Sequence, residues 1–176
     1  MNFKYVLSQI FVVIAFILLG IGFRKEKKIQ ILTYSCIFQL FLIVSYSLLN
    51  GVMGIISCII SLFRNILFMF NEKKNIKNSN IVLIVFVIIT IILTIVFYKS
   101  LIDIFPCIIT LIGIYSFWNK NTKVTRIGNI IVGICSIIYA IPLKSWLLIV
   151  CQIYLIISTI IGFIKYDINK REKNNK

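Results

Sequence analysis

Arg64 is the residue of this chain whose position most clearly suggests chemistry. It follows the apolar run GVMGIISCIISLF, which begins at Gly51, and about 9–10 Å of helix separates it from the polar segment at Asn71. A positive charge within an apolar helix could attract an anionic headgroup or substrate, and a charge inside a membrane span indicates a functional site by default. Alternatively, the long side chain could extend to the headgroup region at little cost. The sequence leaves both interpretations open.

Other polar side chains also interrupt the apolar runs. Ser57 and Ser61 are four residues apart and share one face of a helix, which fits either a packing seam or the wall of a pocket. Gln39, Asn129 and Gln152 lie in other runs. Hydrogen bonds between helices, worth about 0.6 kcal/mol each on average, explain such residues; a central cavity lined by some of them is the alternative. Together with the arginine, these five are the candidate cavity or substrate-binding residues.

Asp103 is the one acid near the predicted outer ends of the helices. A solvated position at a helix N-terminus, where negative charge is favoured, accounts for it, and proton coupling is the alternative role. No catalytic constellation accompanies it. The chain has no histidine, no paired carboxylates and no GxSxG, HExxH or P-loop motif. We predict that the protein is not an enzyme and that it holds no cofactor.

The five cysteines do not suggest a metal site or a disulfide framework. Their number is odd, each lies within an apolar run, and no CxxC motif is present. Cysteine in such positions behaves as a small hydrophobic residue. The residues concerned are Cys36, Cys58, Cys107, Cys135 and Cys151.

Long apolar runs position all of these residues, and the runs predict membrane-spanning helices. The chain has 176 residues, 60% of them hydrophobic, and its mean hydropathy is +1.04. Runs of about 18 apolar residues or more are long enough to cross about 30 Å of hydrocarbon as helices. Polar segments and Pro142 separate the runs. We predict an all-α membrane bundle with seven spans, at Tyr5–Phe23, Ile29–Leu49, Val52–Phe70, Ile81–Tyr98, Leu101–Trp118, Val124–Ile141 and Ser145–Ile164.

The distribution of lysine and arginine predicts the orientation of the spans. Every odd-numbered span is followed by a basic segment, whereas only Lys4, Lys99 and Lys144 fall at the opposite ends. Because cytoplasmic loops are enriched in these residues, the N-terminus is predicted outside and the C-terminus inside. The basic residues occupy short loops rather than one soluble face, so the net charge of +14 does not indicate nucleic-acid binding. The inner residues are Arg24, Lys25, Lys27, Lys28, Lys73, Lys74, Lys77, Lys120, Lys123, Arg126, Lys165, Lys170, Arg171, Lys173 and Lys176.

A shift of 93 residues relates two halves of the sequence that have the same order: long span, basic loop, span, tight turn, span. We predict a 3+1+3 layout, in which two parallel three-helix units, 1–72 and 100–165, are joined by a linker helix within 73–99 and followed by a basic tail, 166–176. Parallel repeats place their pseudo-symmetry axis along the membrane normal, and the paired glycines are expected to allow close helix packing. The matched pairs are Gly20 with Gly113, Tyr46 with Tyr139, Cys58 with Cys151, and Phe70 with Phe163.

Three segments resemble the YgjV-type family of bacterial inner-membrane proteins. They are Leu7–Gly20, Gly51–Leu67 (GVMGIISCIISLFRNIL) and Ile102–Trp118 (IDIFPCIITLIGIYSFW), and the resemblance extends over nearly the whole chain. The 3+1+3 arrangement with its N-terminus outside also resembles the SWEET and PQ-loop group of small membrane proteins. Unlike the sugar-transporting members, the first span has no proline, and Val13 stands where the second unit has Pro106.

The resemblance implies a multi-pass protein of the bacterial inner membrane that moves an unidentified small solute through a cavity between the two units. Such a site requires polar side chains from spans two, three, six and seven to converge near the midplane. The alternative is a non-transporting scaffold, or a component that binds lipid or another protein. The expected partners are the bilayer, the solute and anionic headgroups at the tail after Lys165, and a homo-oligomer is left open.

Overall fold

A computed structural model describes residues 3–49, 52–76, 78–97, 104–142 and 146–168. Within these ranges the regular structure is entirely helical, which confirms the all-α prediction and the number of helices. A π-helical turn, Ile164–Ile168, continues the last helix. The seven helices are α1 (Phe3–Phe23), α2 (Lys28–Leu48), α3 (Val52–Lys73), α4 (Asn80–Phe97), α5 (Ile104–Trp118), α6 (Thr122–Ala140) and α7 (Trp146–Phe163).

Five of the described helices, α1, α2, α3, α6 and α7, are long and apolar enough to cross a membrane, whereas α4 and α5 are apolar but shorter. The predicted helix ends that fall on described residues agree with the observed ones to within two residues, except at the end of α3. The predicted ends at Tyr98, Leu101 and Ser145 lie outside the described ranges. Helix α3 continues to Lys73, about one turn beyond the predicted end at Phe70. Its last turn is polar, and a positive charge at a helix C-terminus is favourable. The helix therefore ends later than its apolar segment.

The order of packing around the bundle differs from the order of the helices in the chain. Helix α2 packs between α1 and α3, α6 packs between α5 and α7, and α1 also packs against α7. Helix α4 packs on α5, while α3 meets α5 over only a small contact. The bundle is thus closely packed from α3 through α2, α1, α7, α6 and α5 to α4. It is loosely closed where α3 faces α4 and α5.

The most closely packed region lies where α1, α2 and α7 meet. Phe16, Leu19, Phe23, Ile31 and Leu155 are buried there. Many Ile and Val side chains point outward instead, notably along α4. Because lipid tails are as apolar as these side chains, outward-facing aliphatic residues are the expected surface of a membrane bundle.

The described basic segments meet at one end of the bundle, here called the basic end. Lys28, at the start of α2, donates a hydrogen bond to the carbonyl of Asn119 after α5. Lys120 donates to the carbonyl of Asn75 after α3, over 3.1 Å. The loops that follow α1, α3 and α5 are therefore neighbours in space. Which side of the membrane this end faces, and the division into two units, stay predictions.

Candidate functional site

A cavity of about 340 Å³ lies where the bundle is loosely closed, between α3, α4, α5 and one end of α6. Its wall is partly aliphatic and aromatic and partly polar. The polar lining residues are Ser57, Ser61, Arg64, Thr90, Thr94, Thr110 and Tyr139, and the others are Ile56, Ile60, Phe86, Leu93, Pro106, Cys107 and Ile114.

The cavity extends from the middle of the bundle toward the end opposite the basic end. Along α3, Ile56 is about 6 Å from the helix start, whereas Arg64 is about 18 Å from it, at 1.5 Å per residue. The neighbouring helices agree with this direction, since Phe86 and Ile114 lie deep and Tyr139 lies near the end of α6. Arg64 therefore marks the deep end of the cavity.

The Arg64 side chain is inside the bundle, and only 6% of its surface is exposed. Its Nε and Nη2 atoms donate to Asn65 Oδ1 over 3.3 and 3.2 Å. Asn65 in turn donates to Ser35 Oγ over 2.9 Å, and the guanidinium carbon lies 5.6 Å from the centre of the Phe117 ring. Within the described part of the chain no carboxylate pairs with Arg64. Its positive charge is therefore met by an amide oxygen and an aromatic face.

The hydroxyl groups of the cavity fall into two sets. Thr90, Thr94 and Thr110 each donate, over 2.8 Å, to the carbonyl four residues earlier in their own helix. Their oxygen lone pairs are left to accept from a ligand. Ser57 and Ser61 make no hydrogen bond to any described residue, and their spacing places them on the same side of α3 as Arg64. The α3 wall thus offers donors, and the opposite wall offers acceptors.

The structure brings three of the predicted candidates, Ser57, Ser61 and Arg64, into one cavity. The cavity is formed by α3 to α6, whereas spans two, three, six and seven were expected to form it, and neither α2 nor α7 contributes a lining residue. The reason is tertiary: α4 packs on α5 and leaves α3 loosely covered.

The other candidates lie elsewhere. Asn129 donates to Thr159 over 2.8 Å, across the contact between α6 and α7. Gln39 and Gln152 are inside the bundle, and each has a buried Oε1 atom with no hydrogen-bond partner among the described residues. Asp103 falls outside the described ranges.

Sequence reasoning did not single out the threonines of the opposite wall. Thr90 and Thr94 are four residues apart in a helix that is otherwise Ile, Val, Leu and Phe after its first residue. The same four-residue spacing identified the two serines of α3 as candidates, so it could also have identified Thr90 and Thr94. Thr110 carried no comparable signal, because it is isolated in its run.

A second buried arginine closes the basic end. Arg126 is fully buried, and its Nη1 atom lies 2.6 Å from Asp167 Oδ2 in the π-helical turn. Its Nε and Nη2 atoms donate to the carbonyls of Phe23 and Lys25, over 3.2 and 2.5 Å. Phe23 is the last residue of α1 and Lys25 follows two residues later, so these carbonyls have no helical partners. Arg126 therefore ties α1, α6 and the end of α7 together.

Comparison with known protein families identifies a match over nearly the whole chain. The model of the Imp-YgjV family, described as a bacterial inner membrane protein, matches residues 6–170. No curated protein and no solved structure matches the chain.

Proposed function

The chain belongs to the Imp-YgjV family of bacterial inner membrane proteins and is a multi-pass protein of that membrane, and we propose that it carries a small solute by way of the cavity among α3, α4, α5 and α6. The observation that carries this proposal is the buried charge of Arg64, which pairs with no described carboxylate, at the deep end of a cavity with six hydroxyl side chains. Membrane bundles keep ionisable residues at such depth mainly for substrate or ion pathways.

The size and lining of the cavity fit a solute rather than a packing defect. Small-molecule sites have volumes of roughly 300–1,000 Å³, and 340 Å³ is at the lower end of that range. They combine apolar walls with a few placed polar groups. A scaffold has no need for this arrangement, because leaving polar groups without partners in hydrocarbon costs several kcal/mol each.

We further propose that helices α1–α3 and α5–α7 form two related units with α4 as a linker. The packing supports this division into two units. A two-fold axis that exchanges α1 with α5 and α3 with α7 would also exchange the α1–α7 contact with the α5–α3 contact. The first is close and the second is sparse. A carrier that rocks one unit against the other would hold one such interface closed while the other is open.

Side chains at paired positions explain why the two interfaces differ. In the close interface, a Cβ atom added to Gly20 would lie 2.5 Å from the Tyr154 ring. The 93-residue shift pairs Gly20 with Gly113, and Tyr154 with Ser61. No atom lies within 4 Å of a Cβ added to Gly113, so the expectation of close packing holds at Gly20 and is wrong at Gly113. In the sparse interface, position 61 carries a small serine where the paired position 154 carries a tyrosine. The space that a tyrosine ring would fill there is part of the cavity.

With the predicted orientation, the cavity extends toward the outside and the closed basic end faces the cytoplasm. Solute would then enter from outside and stop at Arg64. Passage inward would require the contacts of Arg126 with Asp167 and with the end of α1 to separate. The arrangement corresponds to an outward-facing state of an alternating-access cycle.

Uptake into proteoliposomes tests the proposal. The purified protein is reconstituted and offered labelled sugars, amino acids, monocarboxylates, dicarboxylates and phosphate, with empty vesicles as the control. We expect uptake of one class above the control, and we expect Arg64→Gln to abolish it while Lys73→Gln, an exposed charge on the same helix, does not. Uptake of no class above empty vesicles would contradict the proposal and favour the scaffold.

A further inference from the structure

We infer that the cavity binds a small organic anion with a single carboxylate, and that the Arg64 guanidinium and the two serines of α3 donate hydrogen bonds to that carboxylate. This inference deepens the proposed function and rests on it. The body of the anion lies against the apolar and threonine-bearing wall formed by α4 and α5.

The charge of the cavity selects the sign of the ligand. Arg64 is the one charged side chain among the described lining residues, and no Asp or Glu lines the cavity there. The described acids, Glu26, Glu72 and Asp167, all belong to segments at the basic end. A buried cation without a carboxylate is costly, and an anion that enters the cavity offsets that cost. A cation would be repelled.

The geometry of the donors favours a carboxylate. Asn65 occupies Nε and Nη2 through one oxygen, so three of the five guanidinium N–H groups have no partner among the described residues. A planar fork of this kind matches the two oxygens of a carboxylate. Ser61 and Ser57 lie three and seven residues before Arg64 on α3, about 4.5 and 10 Å along the axis, and extend the same line of donors.

The rest of the lining limits the ligand to one charge and a small body. No second Lys or Arg lines the cavity among the described residues, so a dicarboxylate would leave one charge without a partner inside the bundle, which is expensive. The opposite wall offers Leu93 and Ile114 to an alkyl chain, and the oxygens of Thr90 and Thr110 accept from a hydroxyl group.

The carboxylate has two sources that the structure supports equally. A short monocarboxylate would enter from water at the end where Tyr139 lies. A fatty acid would enter from the bilayer between α3 and α4, whose backbones lie further apart than those of the closely packed helices and which meet at the Phe68–Phe86 ring pair. The chemistry at Arg64 is the same in both cases, so the test carries an arm for each source.

The native Cys107 is a reporter inside the cavity. In a variant with the other four cysteines replaced by alanine, the rate of Cys107 modification is measured with an anionic and a cationic methanethiosulfonate of matched size. The measurement is repeated with acetate, butyrate and hexanoate, with their neutral amides, with succinate and phosphate, and with dodecanoate in nanodiscs. Arg64→Gln and Lys73→Gln are made in the same background.

We expect the anionic reagent to react faster with Cys107, and about a tenfold or larger loss of that preference in Arg64→Gln, but not in Lys73→Gln. Butyrate or hexanoate should protect Cys107 while the amides, succinate and phosphate do not. Protection by the short acids indicates a solute from water, and protection by dodecanoate alone indicates a bilayer fatty acid; either supports the inference.

Equal protection by acid and amide, stronger protection by succinate or phosphate, or no protection by any carboxylate would overturn the inference. So would an unchanged reagent preference in Arg64→Gln. These results need no transport and no folded Arg64 variant, since the comparison of acid with amide uses the native arginine. Uptake of a neutral sugar without carboxylate protection would leave the carrier proposal standing and remove the anion. Protection of Cys107 by a carboxylate without uptake of any solute would leave the anion site standing and remove the carrier proposal.

Discussion

Replacing Ser61 by tyrosine should make the protein more stable and inactive at once. The 93-residue shift places Ser61 where α7 has Tyr154, whose ring fills the close interface beside Gly20. Gly113, which the same shift pairs with Gly20, has no atom within 4 Å of where its Cβ would be. A tyrosine ring at position 61 therefore has space to enter the cavity and bring α3 against α5.

The magnitude follows from the area that such a ring buries. Full burial of a large apolar side chain is worth about 1.5–3 kcal/mol, and Tyr154 itself is only partly buried, so we expect a gain of about 1–2 kcal/mol. For a chain of this length, each kcal/mol raises the thermal midpoint by roughly 2–4 °C. At the same time, the ring occupies the space in front of Arg64, so uptake and carboxylate protection of Cys107 should be lost.

The assay measures thermal unfolding in detergent and uptake in proteoliposomes for Ser61→Tyr, with Ser47→Tyr as the control. Ser47 is exposed near the end of α2 away from the basic end, where an aromatic residue is well tolerated. A lower midpoint than the control would refute the pairing of the interfaces, and full uptake by Ser61→Tyr would refute the use of this cavity.

Three further predictions concern packing, the basic end and the topology. Gly20→Ala should destabilise the protein by about 1–3 kcal/mol because its Cβ collides with a ring, whereas Gly113→Ala should be neutral or stabilising by up to about 1 kcal/mol; equal thermal midpoints would contradict the difference. Arg126→Leu should cost about 3–5 kcal/mol, since it leaves the largely enclosed Asp167 carboxylate without its charged partner, and a midpoint within 2 °C of the wild type would rule out that structural role. In a cysteine-free background, a cysteine at Asn50 should be labelled from outside intact cells and one at Lys74 should not; labelling at Lys74 would reverse the predicted orientation.

The helices could be predicted from the sequence because their signal is local. Apolar runs, polar breaks and Pro142 fixed seven segments, and the observed ends differ by more than a residue or two mainly in α3, where a polar turn continues the helix. The position of Arg64 within such a run also singled it out. Its direction, into the bundle rather than toward the headgroups, depends on what α3 faces, and the run itself carries no such information.

What the sequence could not supply was the choice of partners between distant segments. Arg126 counted only as one of the basic loop residues, because its three partners lie 103, 101 and 41 residues away. The cavity was expected among spans two, three, six and seven for a similar reason. Its actual place depends on α4 packing on α5 rather than on α3.

The two buried arginines show how the same side chain serves two purposes in one bundle. Arg126 has a carboxylate and two carbonyls around it, so its charge is satisfied without a ligand and its contribution is to hold the basic end closed. Among the described residues, Arg64 has one amide oxygen and an aromatic ring around it, so no described carboxylate compensates its charge. A ligand that binds only the folded protein stabilises it by about 2.7 kcal/mol at one hundred times its dissociation constant. An anion that pairs with Arg64 would therefore stabilise the protein at the α3–α5 interface, which the side chains of the protein leave loosely packed.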